Sequence, residues 1–199
     1  MEMTNDFKAK KLQVATICYI ITGLGFLQLA FKTLFLKAVD ELPKGHDIAP
    51  FVFLNDKIVI DLVPLVSIVC LFIATYSLWQ VGEPTGFGSR RNFFFVTMAG
   101  TISYTLAALM PLPFAPLGAL LCALGMILVG IAVLRNRVWT GCKRFTPLLV
   151  GTYPFVFMFP VVILMGTRPP IMIGLWGFTW ILLGSAIWLR RKEINGQTN

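Results

Sequence analysis

Residues 92–134 read NFFFVTMAGTISYTLAALMPLPFAPLGALLCALGMILVGIAVL, and none of them carries a charge. An uncharged apolar run of that length exceeds one bilayer crossing, which takes roughly 20 residues, and fits two. The fold-back point is the proline-rich turn Met110-Pro111-Leu112-Pro113-Phe114-Ala115-Pro116. Working outward, apolar segments fill approximately 12–36, 58–80, 93–111, 115–134, 146–166 and 170–189. Hydrocarbon offers no water to backbone N–H and C=O groups, so these segments must be helices. Transmembrane strands would alternate polar and apolar residues in segments of about ten, and that pattern is missing. The expected fold is an all-α membrane protein, a six-transmembrane-helix bundle forming one polytopic domain over residues 1–199.

Composition agrees. Hydrophobic residues make up 57% of the chain and charged ones 13%, about half the charged share of an ordinary soluble domain. The net charge of +8 raises nucleic acid as a partner, but no soluble segment is long enough to carry such a face. The basic residues instead flank the apolar runs, where they meet membrane lipids through anionic headgroups.

Lys and Arg placement sets the orientation. Lys8, Lys10, Lys11, Arg90, Arg91, Arg135, Arg137, Lys143, Arg144, Arg190, Arg191 and Lys192 fall on one side, and Lys37, Lys44, Lys57 and Arg168 on the other. Both termini are therefore expected in the cytoplasm, with the protein in the plasma (inner) membrane. A cleaved signal peptide is disfavoured, because the first apolar run is long and offers no small-residue cleavage site. The external loop 37–57 is the one sizeable connection, and its apolar run Ile48-Ala49-Pro50-Phe51-Val52-Phe53-Leu54 is expected at the interface.

A weak internal repeat relates the 3–4 and 5–6 hairpins. Gly100-Thr101 is echoed by Gly151-Thr152, and Leu128-Val129-Gly130-Ile131-Ala132 by Leu182-Leu183-Gly184-Ser185-Ala186. The two units would share one orientation; chance matching among apolar helices is the other explanation. In size and hydropathy the chain resembles several small bacterial families of six-helix proteins built from hairpin repeats, an acid-resistance membrane family among them. No motif matches residue by residue, so the likeness implies no residue role.

Chemistry-bearing residues are few. Cys18, Cys70 and Cys122 lie within spans and Cys142 in a loop, at spacings that fit neither CxxC nor a zinc ribbon; they read as small, soft core residues. His46, the one histidine, lies in the external loop without a fixed partner. No nucleophile–base pair and no metal-holding acid cluster can be assembled. No catalytic, metal or cofactor residue is therefore assigned. The polar residues of interest are Lys32, near the outer end of span one, Asp61, near the outer end of span two, and Gln28, one turn below Lys32. Antiparallel neighbours would face Lys32 with Asp61; the alternative is that each snorkels outward separately.

Span five contains Thr152, Tyr153, Pro154 and Pro160. The prolines lack amide donors and free the carbonyls of Val150 and Val156. Broken helices line sites in transporters, but a proline kink repaired by neighbours is the commoner arrangement. Trp176 and Trp180, one turn apart in span six, are candidates for the opposite wall of a cavity. Gly118, Cys122 and Gly125 in span four, and Gly177 and Gly184 in span six, mark close-packing faces. Trp79, Trp139 and Trp188 sit where interfacial anchors belong.

The leading functional expectation is a small non-enzymatic membrane protein of accessory, stress-related or structural type, self-associating as a homo-oligomer or joined to a membrane-protein partner. A small carrier or channel for an apolar or weakly polar solute is the alternative, and a lipid-modifying enzyme ranks third.

An unpaired charge at the centre of a bilayer costs about 2.5–3.5 kcal/mol on insertion scales, and less at shallower depth. If Lys32 and Asp61 pair, Lys32→Met and Asp61→Leu combined should destabilise less than the sum of the two singles, read as thermal unfolding in detergent. Additive losses mean that the two side chains act independently.

Overall fold

The computed structural model describes residues 5–40, 57–82, 88–107, 110–166 and 170–196. Among them no strand occurs. The helices are α1 (Asn5–Asp40), α2 (Lys57–Val81), α3 (Phe94–Leu106), α4 (Pro111–Asn136), α5 (Thr146–Tyr153), α6 (Phe159–Met165) and α7 (Pro170–Gly196). Short 3₁₀ turns, Gly88–Phe93 and Gly141–Phe145, precede α3 and α5. A π-helical turn, Pro154–Met158, joins α5 to α6. Five helical segments are long and apolar enough to cross a membrane: Asp6–Phe31, Leu62–Val81, Pro113–Asn136, Gly141–Met165 and Pro170–Ile194.

Several boundaries differ from the sequence expectation. Helix α1 begins before residue 12 and runs through Asp40, into the stretch read as loop 37–57. Nothing before Pro43 breaks a helix, and at the other end Asp6 bridges Lys10 at 2.8 Å in the first turns. His46 and the apolar run 48–54 lie outside the described residues. The expected proline turn at 110–116 is also misplaced. Met110 is extended (φ −142°, ψ 96°) and Pro111 opens α4. First-turn amides have no intrahelical partner to lose, so proline is at home there. The chain turns just earlier, where Ala107 N donates to Ser103 O at 3.0 Å and Met110 N to Leu106 O at 3.1 Å. Helix α3 is thereby shortened to 13 residues.

Along the ring α1 packs on α2, α2 on α3, α3 on α4, α4 on α5 and α5 on α7, and α1 closes it by packing along α7. The middle of the ring is filled by Leu12 and Tyr19 of α1, Leu71 and Leu78 of α2, Phe94 of α3, Met126 and Val129 of α4, and Trp176, Trp180 and Leu183 of α7. Glycine sets the spacing. A Cβ on Gly23 would lie 2.5 Å from Gly177 O, and one on Gly174 would lie 2.5 Å from Ala30 N, so α1 and α7 run antiparallel with their backbones in contact. In the same way a Cβ on Gly100 would meet Cys122 N at 2.6 Å, and one on Gly118 would meet Gly100 O at 3.0 Å. The small-residue stripe of α4 is therefore its α3-facing side. Gly151 packs on α4 instead, its Cβ position 2.5 Å from Ile127 N. The glycines that match in sequence between the two hairpins thus serve different contacts: Gly100 joins α3 to its own hairpin partner, and Gly151 joins α5 to the preceding hairpin.

Of the tryptophans expected at interfaces, Trp188 is partly exposed and Trp79 half-buried, but Trp139 is buried in the core cluster. The 3₁₀ turn after α4 and the left-handed Arg137 (φ 52°) bring it back beneath the helix ends.

Candidate functional site

The interruption of the fifth span follows from its two prolines. Pro154 has no N–H to offer Val150 O, the usual four-residue partner. That carbonyl accepts the Trp176 indole N–H instead, at 2.8 Å and fully buried. The helix then widens by one residue, and Phe159 N donates to Pro154 O across the π turn. Beside the break, Thr152 Oγ1 donates to Leu148 O at 2.9 Å and Tyr153 O–H to Met172 O at 2.9 Å. The hydroxyls next to Pro154 are thus bonded to backbone carbonyls of their own or the adjacent helix.

Trp176 and Trp180 do sit together, with ring centroids 5.5 Å apart. Both are wholly buried. Tyr19 stacks on Trp180 at 5.4 Å, and Phe26 lies 5.5 Å from Trp176. The column Tyr19–Trp180–Trp176–Phe26 packs α1 against α7, so these two tryptophans face protein and not an open cavity. Trp180 Nε1 is buried without a hydrogen-bond partner.

The open space lies farther along the fifth span. A crevice of about 130 Å³ is lined by Tyr104, Ala115, Pro116, Ala119, Met158, Phe159, Val162 and Ile173. A wider groove of about 630 Å³ shares Pro116 and Phe159 and adds Leu117, Leu120, Phe155, Pro160 and Ile163. Pro160 is therefore at the groove, whereas Thr152, Tyr153, Pro154, Trp176 and Trp180 line neither space. The lining is apolar apart from the Tyr104 ring substituent and backbone. Such a space takes an apolar chain or ring and offers nothing to a hydrophilic solute.

A second groove, of about 310 Å³, lies between α1 and α2 and is lined by Ile21, Leu24, Gly25, Gln28, Leu62, Val63, Val66 and Ser67. Hydroxyls fix the register below it. Thr22 Oγ1 lies 2.8 Å from Cys18 O and 3.0 Å from Ser67 O, and Tyr19 Oη lies 3.3 Å from Thr75 Oγ1. Gln28 is thereby placed beside the start of α2. Lys32 and Asp61 lie in helical backbone, but their side chains fall outside the described residues. Cys18 of α1 and Cys70 of α2 are both free and half-buried.

At the end carrying both chain termini, Glu193 accepts from Lys143 and, at 2.9 Å, from Arg190. Arg91 stands 5.5 Å over Trp79, and Arg191 stands 5.0 Å over Trp188. These contacts hold cations at the helix ends and assemble no acid–base pair. Among the described residues no group of three or more His, Cys, Asp or Glu side chains gathers that would hold a metal ion. No family model, curated protein or solved structure matches the chain.

The Val150–Trp176 bond makes a quantitative expectation. Trp176→Phe removes the donor and leaves a buried carbonyl unsatisfied, a loss of about 1–3 kcal/mol, to which the smaller ring adds a packing loss. Pro154→Ala restores a backbone N–H four residues from Val150 O. In a double-mutant cycle followed by thermal unfolding in detergent, Trp176→Phe should therefore cost less in the Pro154→Ala background. Equal costs in both backgrounds would show that the indole is not the substitute donor.

Proposed function

We propose that this is a six-span protein of the inner membrane, with both termini cytoplasmic, and that it acts as a non-enzymatic accessory or structural component of the bilayer. The observation that carries this reading is the filled middle of the helix ring, where Tyr19, Trp176, Trp180 and Leu183 are wholly buried. A bundle packed in this way has no polar path for a hydrophilic solute.

Support for a sixth span comes from α3. With Arg90 and Arg91 of the preceding 3₁₀ turn at headgroup level, residues 92–106 reach roughly 24 Å at the usual rises of ~2.0 and ~1.5 Å per residue. That covers most of the ~30 Å hydrocarbon thickness. The orientation rests on the basic-residue asymmetry. A cysteine introduced at Gly45 should react with an impermeant maleimide added outside intact cells, and one at Thr198 should not. The reverse pattern would invert the topology.

The second reading, a carrier for an apolar or weakly polar solute, draws on the crevice between α4 and the fifth span. Flux separates the two. Liposomes containing the purified protein should retain ions and small hydrophilic solutes as well as protein-free vesicles do. Protein-dependent flux of any such solute overturns the accessory reading. Protein-dependent exchange of an apolar solute, lost when Ala119→Phe fills the crevice, favours the carrier.

A further inference from the structure

The second proline of the fifth span frees carbonyls that the repair at the first does not reach. Phe159 N donates to Pro154 O across the π turn, so Phe155 O loses its four-residue partner. Its five-residue partner is Pro160, which has no N–H, and Val156 O loses the same residue as its four-residue partner. The side-chain bonds made to carbonyls around the break end on Leu148, Leu149, Val150 and Met172. Among the described residues none ends on Phe155 or Val156. Helical carbonyls point toward the next turn, so these are directed at the Pro160 ring. That ring lines the groove of about 630 Å³, with Phe155 and Phe159 beside it and Leu120 of α4 among the facing residues. Val156 itself is 59% exposed.

Depth and charge select what can fill the groove. Val156 lies about 14 Å from the end of the span at Met165, counting ~1.5 Å per residue. That is about half of the ~30 Å hydrocarbon thickness, where a backbone acceptor has no water to bond. A phospholipid keeps its charged headgroup at the interface and could bring only its chains, which carry no donor. A cation would meet the carbonyls only at the cost of a charge in hydrocarbon. A neutral hydroxyl can leave the interface, donate to a carbonyl and lay its apolar chain along the groove. The adjoining crevice, which shares Pro116 and Phe159, holds about 130 Å³. That is roughly four times a water's ~30 Å³ share of the liquid, room for one chain and not two.

We propose that the groove between α4 and the fifth span binds a single-chain alcohol lipid from the bilayer, its hydroxyl donating to the carbonyls directed at Pro160. The alcohol supplies at the second proline the donor that the Trp176 indole supplies at the first. This inference rests on the second functional reading, whose weakly polar solute it names by class, but it requires binding and not transport.

The test uses the full chain in phosphatidylcholine nanodiscs, photolabelled with hexadecanol carrying a mid-chain diazirine. The label should fall on the segments of α4 and the fifth span that line the groove. Unlabelled hexadecanol should compete about fivefold better than its methyl ether at equal mole fraction in the bilayer, the worth of one hydrogen bond. Pro160→Ala restores an N–H for Val156 O and should lower that ratio, with competition by the ether unchanged. Leu120→Trp fills the groove and should remove labelling there. Equal competition by alcohol and ether overturns the proposal, since it is the result of filling by plain lipid chains. An unchanged ratio in Pro160→Ala overturns it too, as does a dimer cross-linked through this face that hexadecanol does not displace. The alcohol-to-ether ratio of the unsubstituted chain decides the matter even if a variant folds poorly. Flux is measured separately in liposomes, so a chain that binds the alcohol and carries nothing supports the site while removing the carrier.

Discussion

Backbone contact between the first and last helices is the constraint on which the bundle depends. With water absent, burial of apolar side chains gives helices no reason to prefer each other over lipid, and close packing must supply it. Gly23, Gly174 and Gly177 lack the Cβ atoms that would collide across the α1–α7 contact. The stacked column of Tyr19, Trp180, Trp176 and Phe26 then fits along that contact. Because α1 also packs on α2, and the series continues through α3, α4 and α5 to α7, this one approach closes the helices into a ring. Opening it would expose the Trp176 N–H and the Val150 carbonyl together.

The polar groups of the interior follow the same economy. Thr75 Oγ1 donates to Leu71 O at 2.8 Å, Thr101 Oγ1 to Met98 O at 2.7 Å and Ser67 Oγ to Val63 O at 2.7 Å, each within its own helix. Interhelical links include Ser103 Oγ to Phe114 O, at 2.8 Å. A hydroxyl bonded back to its own helix satisfies its donor without holding a neighbour, and bonds between membrane helices average only about 0.6 kcal/mol. Shape, more than polar pairing, therefore specifies which helices meet.

This division explains what could be read from sequence. Apolar length and charge placement report on the solvent each residue needs, so the helical class and most span positions were legible. The glycine stripes of α4 and α7 were legible too, since a missing side chain leaves few structural uses. Pro111 and Pro113 misled because the same residue marks a turn or the first turn of a helix, and only the extended Met110 distinguishes them. Trp139 misled because sequence proximity to basic residues says nothing about the left-handed Arg137 that turns it inward. The close approach of α1 and α2 at Gly25 was out of reach, as it depends on Ser67 Oγ filling the place of the missing side chain.

The fifth span shows why a helix break need not be a ligand site. Sequence identified the freed Val150 carbonyl correctly and left its partner open. The partner is an indole from α7, already buried, so a ligand at that carbonyl would have to displace a core side chain and its column. The same break has a separate effect on the far side. By widening the helix by one residue, the π turn places Phe155, Phe159 and Pro160 against Pro116 and Leu120. Two proline-bearing segments cannot pack as flush as regular helices, and the mismatch is the groove. A ligand entering this groove from lipid would be admitted by imperfect packing between α4 and the fifth span, and would meet neither Val150 nor Trp176, which line neither space there.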